Sequence, residues 1–355
     1  MSSITKKIKA YFRLIRAHTI IATSLTPSLG AFATFSILEG TLIPWDKIPI
    51  LLTLFVVGII VHIFGEILND YMDYNIDKES NELKDKPLVS GDISKTGALL
   101  GLIISFSILI ILIIFSTFTV FSIILLTISS ATGILYQLIS KKWLHSAVFL
   151  GLYAFFIILF GAAFAGKYMT FNEIPLLAYI IAILGFFQLW INTAILGHLK
   201  DIKNDAECGV ETLPMRLGVK IKVTGKTPNL LIPNRFKAMV LIIQIINLSF
   251  AFIPLIYYTN FYSGEINIII LFIFLILISL MIFASQIKVL WHKKFERNKL
   301  MRLMAIREIG AYFLAIILLS PFMGLILSMI YVFLPFTWFI IINRIFTGKS
   351  MLAAI

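Results

Sequence analysis

The chain has 355 residues, of which 59% are hydrophobic and 14% are charged, and its formal net charge is +12. Soluble domains carry about 25% charged residues, so this composition excludes an ordinary soluble protein and indicates a polytopic membrane protein. The single cysteine, Cys208, excludes an intramolecular disulfide and a cysteine-based zinc site. Because basic residues gather beside membrane helices, the positive charge is not taken as a sign of nucleic-acid binding, and no nucleic-acid partner is expected.

The apolar stretches are long enough for helices that cross a bilayer, each of which needs about 20 residues. They lie at 19–38, 49–70, 97–115, 117–138, 146–166, 174–199, 237–258, 266–288 and 304–320. A further stretch, 322–342, follows Pro321 and is either another span or a kinked continuation. The pattern predicts an all-α fold, a polytopic membrane bundle of nine or ten transmembrane helices in a single domain, 1–355. The basic N-terminus lacks the features of a removable signal peptide.

The basic residues predict the orientation of the chain. With a cytoplasmic N-terminus, the inner connections are 71–96, 139–145, 200–236 and 289–303, and they contain most of the lysines and arginines. The outer connections contain only Lys47 and Lys167 if 322–342 returns to the inside. Cytoplasmic loops carry this excess in membrane proteins. We therefore expect a multi-pass protein of the cell membrane whose active face is cytoplasmic, at 71–96 and 200–236. The sequence predicts no role for 222–236.

Acidic residues are concentrated in two windows, Glu66–Asp92 and Asp201–Glu211. The first acidic cluster has oxygen-bearing side chains at i, i+4 and i+8, with one more beside them, and consists of Asn69, Asp70, Asp73 and Asp77. The second acidic cluster repeats the i, i+4 spacing with Asp201 and Asp205. Such residues lie on one face of a helix, where like charges destabilise it unless a cation binds.

Both clusters lie where a predicted helix reaches the cytoplasmic surface. The carboxyl end of a helix carries partial negative charge and favours a cation. Mg²⁺ prefers oxygen ligands and commonly combines a few carboxylates with substrate phosphates. The sequence therefore predicts a diphosphate held by Mg²⁺ between the two clusters. In the alternative, these carboxylates only solvate loops and pair with Lys78, Lys84, Lys86 and Lys203.

At these residues the chain resembles the UbiA-type superfamily of intramembrane prenyltransferases. The matching motifs are Asn69-Asp70-x-x-Asp73-x-x-x-Asp77, Lys86-Pro87-x-x-Ser90-Gly91, Asp201-x-x-x-Asp205 with Thr212-Leu213-Pro214, and Arg13-Leu14-Ile15-Arg16-Ala17-His18-Thr19, with Ala17 where proline is usual. The resemblance runs from about 10 to 320. It implies helices around a central cavity and an Mg²⁺-dependent prenyl transfer. By resemblance the best metal ligands are Asn69, Asp73, Asp201 and Asp205, followed by Asp70 and Asp77.

The predicted reaction also needs cations for the leaving diphosphate and aromatic faces for a carbocation. Candidate phosphate contacts are Lys86, Lys142 and Arg16, because basic side chains stabilise developing negative charge. Tyr136 is the first candidate for cation–π stabilisation, with Tyr153, Phe187 and Trp190 as others. Asp73, Asp201, Lys86 and Lys142 are thus the predicted catalytic residues, and Asn69, Arg16, Lys86, Lys142 and Tyr136 the predicted substrate contacts.

Several alternatives stay open at this point. The acceptor could be a quinone-type aromatic ring or an archaeal-type glycerol-phosphate lipid, and a cyclase of the same superfamily would need no acceptor. A transporter would place ionisable residues near the middle of the bilayer, whereas these clusters lie at helix ends. The expected partners are a prenyl diphosphate, a lipophilic acceptor and membrane lipid. The length of the prenyl chain and the choice between monomer and homo-oligomer are not predicted.

Overall fold

The fold is almost entirely helical in this computed structural model, which describes residues 3–39, 45–79, 83–140, 142–207, 209–223, 228–257 and 268–347. The α-helices are α1 Ser3–Leu14, α2 Ile20–Ser24, α3 Thr26–Glu39, α4 Ile48–Glu79, α5 Lys95–Phe115, α6 Val120–Ile139, α7 Ala147–Gly166, α8 Leu176–Ile191, α9 His198–Glu207, α10 Leu213–Arg216, α11 Asn234–Phe250, α12 Ile253–Tyr257, α13 Ile268–Leu290 and α14 Arg297–Thr347. A π-helical segment, Asn192–Gly197, joins α8 to α9.

The helices confirm the predicted all-α membrane bundle. Eight helical segments in the described part of the chain are long and apolar enough to cross a membrane, and a shorter apolar segment covers Ile20–Phe35. Large hydrophobic side chains are exposed on these helices, for example on α5 and α13. Such side chains are expected where a helix contacts lipid. The number of spans, nine or ten, stays a prediction. The predicted outer connections 39–48 and 259–265 lie mostly outside the described residues.

The last helix, α14, turns back on itself. Its backbone leaves the helical conformation at Gly324, where φ is 71° and ψ is 167°, a combination that glycine adopts without the penalty of a Cβ atom. The Tyr312 hydroxyl donates a hydrogen bond to the carbonyl oxygen of Tyr331 over 3.0 Å. Nineteen residues of straight helix would separate these groups by about 28 Å. The stretch after Pro321 is therefore a second helix, antiparallel to the first.

The returning half of α14 packs against the N-terminal part of the chain. The hydroxyls of Tyr331 and Ser28 lie 2.6 Å apart. The Trp338 indole N–H donates to the carbonyl oxygen of Ala17 over 2.6 Å. These contacts join the two ends of the chain beside the first acidic cluster.

The interior of the bundle is built around α7, which packs against α3, α6 and α8. The approach of α3 and α7 is close because glycine faces backbone on both sides. A Cβ atom on Gly161 would lie 1.7 Å from the carbonyl oxygen of Pro27, and one on Gly30 would lie 1.9 Å from that of Ile158. Small residues at such contacts let membrane helices approach closely. This packing fixes α6 and α8, the helices that flank the two acidic clusters.

The stretch 222–236 forms part of a small β-hairpin. Strands β1 Lys220–Val223 and β2 Pro228–Leu231 pair antiparallel, with Lys220 opposite Leu231; residues 224–227 lie outside the described part. The backbone N–H of Leu230 donates to the carbonyl oxygen of Lys293 over 2.7 Å. The hairpin thus joins the connection before α14 to the connection after α9.

Candidate active site

The first acidic cluster occupies the last turns of α4, where the helix runs on to Glu79. The side chains of Asp70 and Asp77 are only 6% and 7% exposed. They are two helical turns apart on one face, and a single ammonium group lies between them. The Lys86 Nζ atom is 3.0 Å from Asp70 Oδ1 and 2.6 Å from Asp77 Oδ2. Sequence spacing placed Asn69, Asp73 and Asp77 on one face with Asp70 beside them, and it did not predict that one lysine pairs Asp70 with Asp77.

Lys86 is held as a cation by this pair. Burial would lower the pKa of the ammonium group, but the charges of Asp70 and Asp77 and their hydrogen bonds raise it above its ordinary value. The acidic side chains in this part of α4 outnumber the two cations that pair with them, Lys86 and Arg16, and leave a net negative charge there. A further cation is therefore favoured at this position.

Arg16 connects the N-terminal segment to the same cluster. Its guanidinium donates to Asn69 Oδ1 over 3.0 Å and forms ion pairs with Glu66 at 2.9 Å and Asp70 at 3.6 Å. The φ angle of Arg16 is 43°, in the left-handed region that disfavours residues with a Cβ atom. The chain thus adopts a costly backbone conformation where this guanidinium meets the cluster. The ion pair with Glu66 was not predicted from sequence.

The second acidic cluster lies on α9, after the π-helical segment. Asp201 accepts hydrogen bonds from Lys200 Nζ at 2.7 Å and from the Arg297 guanidinium at 2.9 and 3.1 Å. Asp205 is buried, and its Oδ2 atom is 3.4 Å from His198 Nδ1. Arg297, at the start of α14, was not identified from the sequence. It belongs to a basic group in an inner loop, and only the fold shows that it reaches Asp201.

Helix α6 carries a side chain that lies near both clusters. Tyr136 lies close enough to interact electrostatically with Asp73 of the first cluster and Asp205 of the second. Its neighbour Gln137 accepts a hydrogen bond from Asn69 Nδ2 over 2.8 Å. Carboxylates that are far apart in sequence therefore lie in the neighbourhood of one aromatic side chain.

The other predicted substrate contacts lie in different surroundings. Arg16, Lys86 and Asp70 line a cavity of about 320 Å³, whose lining also includes Asn343 and Phe346 of α14. Lys142 is exposed in the connection after α6, and the described residues provide no polar partner for its ammonium group. Among the remaining aromatics, Phe187 and Trp190 pack against a cluster of buried residues.

The oxygen donors of the two clusters suit Mg²⁺, although cations of the protein already pair with several of them. Within the described residues, no three acidic or histidine side chains converge as ligands of one ion, and cations occupy several of the carboxylates. The available donors are nevertheless all carboxylate and amide oxygens, which Mg²⁺ prefers, and the ion takes few protein ligands when it also binds phosphates. The residues of the two clusters fit the ion in chemistry, while Lys86 and Arg297 would have to share or release their partners.

Comparison with known proteins gives consistent matches. The model of the UbiA prenyltransferase family matches residues 25–231. Digeranylgeranylglyceryl phosphate synthase of Methanoregula boonei is 29% identical over 218 residues, which is 60% of this chain and 70% of that protein. 4-Hydroxybenzoate geranyltransferase 1 of Lithospermum erythrorhizon is 28% identical over 159 residues, 45% of this chain and 50% of that protein.

A solved structure gives the same fold. A UbiA homologue from Archaeoglobus fulgidus bound to GPP and Mg²⁺ superposes with a TM-score of 0.57 at 16% identity, over 93% of this chain and 99% of that one. The match extends beyond 25–231 to nearly the whole bundle.

Proposed function

The chain belongs to the UbiA prenyltransferase family, and from this premise we propose that it joins a prenyl group from a prenyl diphosphate to a lipophilic acceptor between α4 and α9. It is an enzyme, a prenyltransferase. The observation that carries the proposal is that Tyr136 lies within electrostatic range of Asp73 in the first acidic cluster and of Asp205 in the second. Loops that were merely solvated would not need carboxylates from two distant helices to face one buried site.

The proposed metal is Mg²⁺, with Asn69, Asp73, Asp201 and Asp205 as ligands and Asp70 and Asp77 as further ones. Support comes from the oxygen donor set and from the homologue described with GPP and Mg²⁺. When bound, the ion supplies positive charge that stabilises a leaving diphosphate.

Basic side chains of this chain would bind the diphosphate beside that ion. Lys86 and Arg16 already line one cavity with Asp70, so a phosphate entering it would meet both cations. Lys142 is exposed and would have to approach from the loop after α6. The Tyr136 ring would then face the allylic carbon, where an aromatic face stabilises positive charge by about 0.5–2 kcal/mol.

The acceptor is proposed to be a glycerol-phosphate lipid, with an aromatic quinone precursor as the second candidate. The match to a digeranylgeranylglyceryl phosphate synthase covers 60% of this chain. The match to a 4-hydroxybenzoate geranyltransferase covers 45%, which keeps the aromatic acceptor in view.

We expect purified protein to form a lipid-soluble product from labelled geranylgeranyl diphosphate only when Mg²⁺ and an acceptor are both present. The panel should contain a geranylgeranylglyceryl phosphate and 4-hydroxybenzoate, with products separated by chromatography. Heat-inactivated protein and excess chelator are the controls. Formation of a cyclic product without acceptor would contradict transfer and favour a cyclase.

The proposed orientation places the site on the cytoplasmic side. In a variant that lacks Cys208, cysteines introduced at Lys84 and Lys203 should react with a membrane-impermeant reagent only after the cytoplasmic side is opened. A cysteine at Asp46 should react from outside. Both lysines and Asp46 are exposed, so access depends on the membrane side. The reverse labelling pattern would contradict the orientation.

A further inference from the structure

A charged network lies inside the bundle, apart from the two acidic clusters. Arg307 belongs to the first half of α14, within a segment long and apolar enough to cross a membrane, and is only 1% exposed. Its Nε donates to Gln244 Oε1 on α11 over 3.1 Å, and its Nη1 donates to Asn192 Oδ1. A charge at the centre of a membrane helix costs about 2.5–3.5 kcal/mol and is a reason to look for a function.

Asn192 is the junction of this network. Its side-chain oxygen accepts from Arg307, and its side-chain nitrogen donates to Glu308 Oε1 over 2.9 Å. Because both ends of the amide are engaged, its orientation is determined. Asn192 is also the first residue of the π-helical segment that leads to the second acidic cluster. Such π-helical turns are rare and frequently occur at functional sites.

Glu308 extends from this junction toward the second acidic cluster. Its carboxylate interacts electrostatically with Lys200, whose Nζ is 2.7 Å from Asp201 Oδ2. Glu308 is exposed, unlike Arg307. A carboxylate directed at lipid would be costly, and both Asn192 and Lys200 lie on the α8–α9 side. The hydrogen bond from Asn192 therefore places the Glu308 carboxylate beside the segment that leads from α8 to the second acidic cluster.

We propose that Glu308 is the base that accepts the acceptor's proton, with Asn192 and Arg307 as positioning residues; this inference rests on the proposed function. In the reaction, the bond between the prenyl C1 atom and the diphosphate oxygen breaks, and the diphosphate leaves with the electron pair. The acceptor's hydroxyl oxygen or aromatic carbon bonds to C1. The proton lost from that atom goes to the Glu308 carboxylate.

The local charges distinguish Glu308 from the other acids of the bundle. Glu66 is bound to the Arg16 guanidinium at 2.9 Å, and an ion pair of this kind favours the charged carboxylate and weakens it as a base. Asp201 is likewise held by Arg297 and Lys200. Glu308 accepts its hydrogen bond from a neutral amide and forms no ion pair within 4.0 Å among the described residues, so Arg307 and Lys200 act on its carboxylate only at longer range.

The test separates donor ionisation from proton removal. Glu308→Gln should lose about 10²–10⁴-fold in transfer to the acceptor, the range for general acid–base catalysis. Donor binding and the release of diphosphate without acceptor should stay at the wild-type level. Glu296→Gln is the matched control, since that exposed acid precedes α14 and pairs with Lys299 at 4.0 Å; it should transfer normally.

The pH profile gives a readout that a structural role would not change. In the wild type, kcat/KM for the acceptor should rise with pH as Glu308 loses its proton, in the field of Arg307 and Lys200. Glu308→Asp should keep this rise with a lower maximum, and Glu308→Gln should lose it. Arg307→Lys should lower kcat without changing KM for the donor. If Glu308→Gln does not fold, Glu308→Asp decides by the same comparison.

Wild-type transfer by Glu308→Gln, or equal transfer rates for Glu308→Asp and the wild type, would overturn the assignment. Loss of donor binding together with transfer would also overturn it, because the role would then be structural. A wild-type protein that neither releases diphosphate nor prenylates any acceptor would instead contradict the proposed function.

Discussion

Replacing Asp73 with asparagine is expected to lower prenyl transfer by about 10²–10³-fold, the cost of removing one group that stabilises charge in a transition state. Asp73 belongs to α4 and lies within electrostatic range of Tyr136. The substitution keeps the size of the side chain and removes its negative charge. Asp201→Asn should have a similar effect from α9, since it weakens the opposite side of the same site.

Activity should be measured at several Mg²⁺ concentrations, because loss of a charged ligand raises the concentration of ion required. Asp46→Asn is the matched control, as that side chain is 68% exposed and remote from α9 in the predicted topology. All variants should retain the helical content of the wild type. Wild-type turnover by Asp73→Asn or Asp201→Asn would refute that residue's assignment as an essential ligand.

Replacing Lys86 with methionine should destabilise the metal-free protein by about 3–5 kcal/mol, the usual cost of removing one partner from a buried ion pair. Lys86 is 23% exposed, and its partners Asp70 and Asp77 are almost fully buried. Without the Lys86 ammonium group, the buried carboxylates of Asp70 and Asp77 would lose the cation that they share. Mg²⁺ with a non-hydrolysable prenyl diphosphate should restore part of the stability, since a ligand that binds only the folded state stabilises it.

The measurement is thermal or denaturant unfolding in detergent, with and without the ion and analogue. Lys84→Met is the matched control, because Lys84 lies in the same loop but is exposed. It should unfold like the wild type. If Lys86→Met were as stable as Lys84→Met, the ion pairs of Lys86 would not hold the loop to α4.

The helices and both acidic clusters were predictable because they depend on local patterns. Apolar length indicates a membrane helix, and the i, i+4 spacing of Asp73 and Asp77 or of Asp201 and Asp205 follows from the helical period. The family resemblance rests on the same residues. The structure contains these features because they depend on residues that are close in sequence and not on which helices pack together.

Long-range pairings were not predictable in the same way. Lys86 bridging Asp70 and Asp77, and Arg297 binding Asp201, depend on the folding of loops that the spacing of residues does not determine. The return of α14 at Gly324 explains why the stretch after Pro321 could be either a span or a continuation. No role was predicted for Arg307 and Glu308, because a stretch with two charged residues can still be apolar enough for a membrane helix. Only the fold shows that both side chains form hydrogen bonds with Asn192.

The central claim is that both clusters hold one Mg²⁺–diphosphate assembly, and hydrogen exchange tests it most directly. Exchange should be followed in 71–96 and 200–236 with Mg²⁺ alone, with a non-hydrolysable prenyl diphosphate alone, and with both. Both loops should become protected together, and most strongly when ion and analogue are both present, because each supplies part of the charge balance. Protection confined to one loop would show that the clusters act separately and would contradict the shared site.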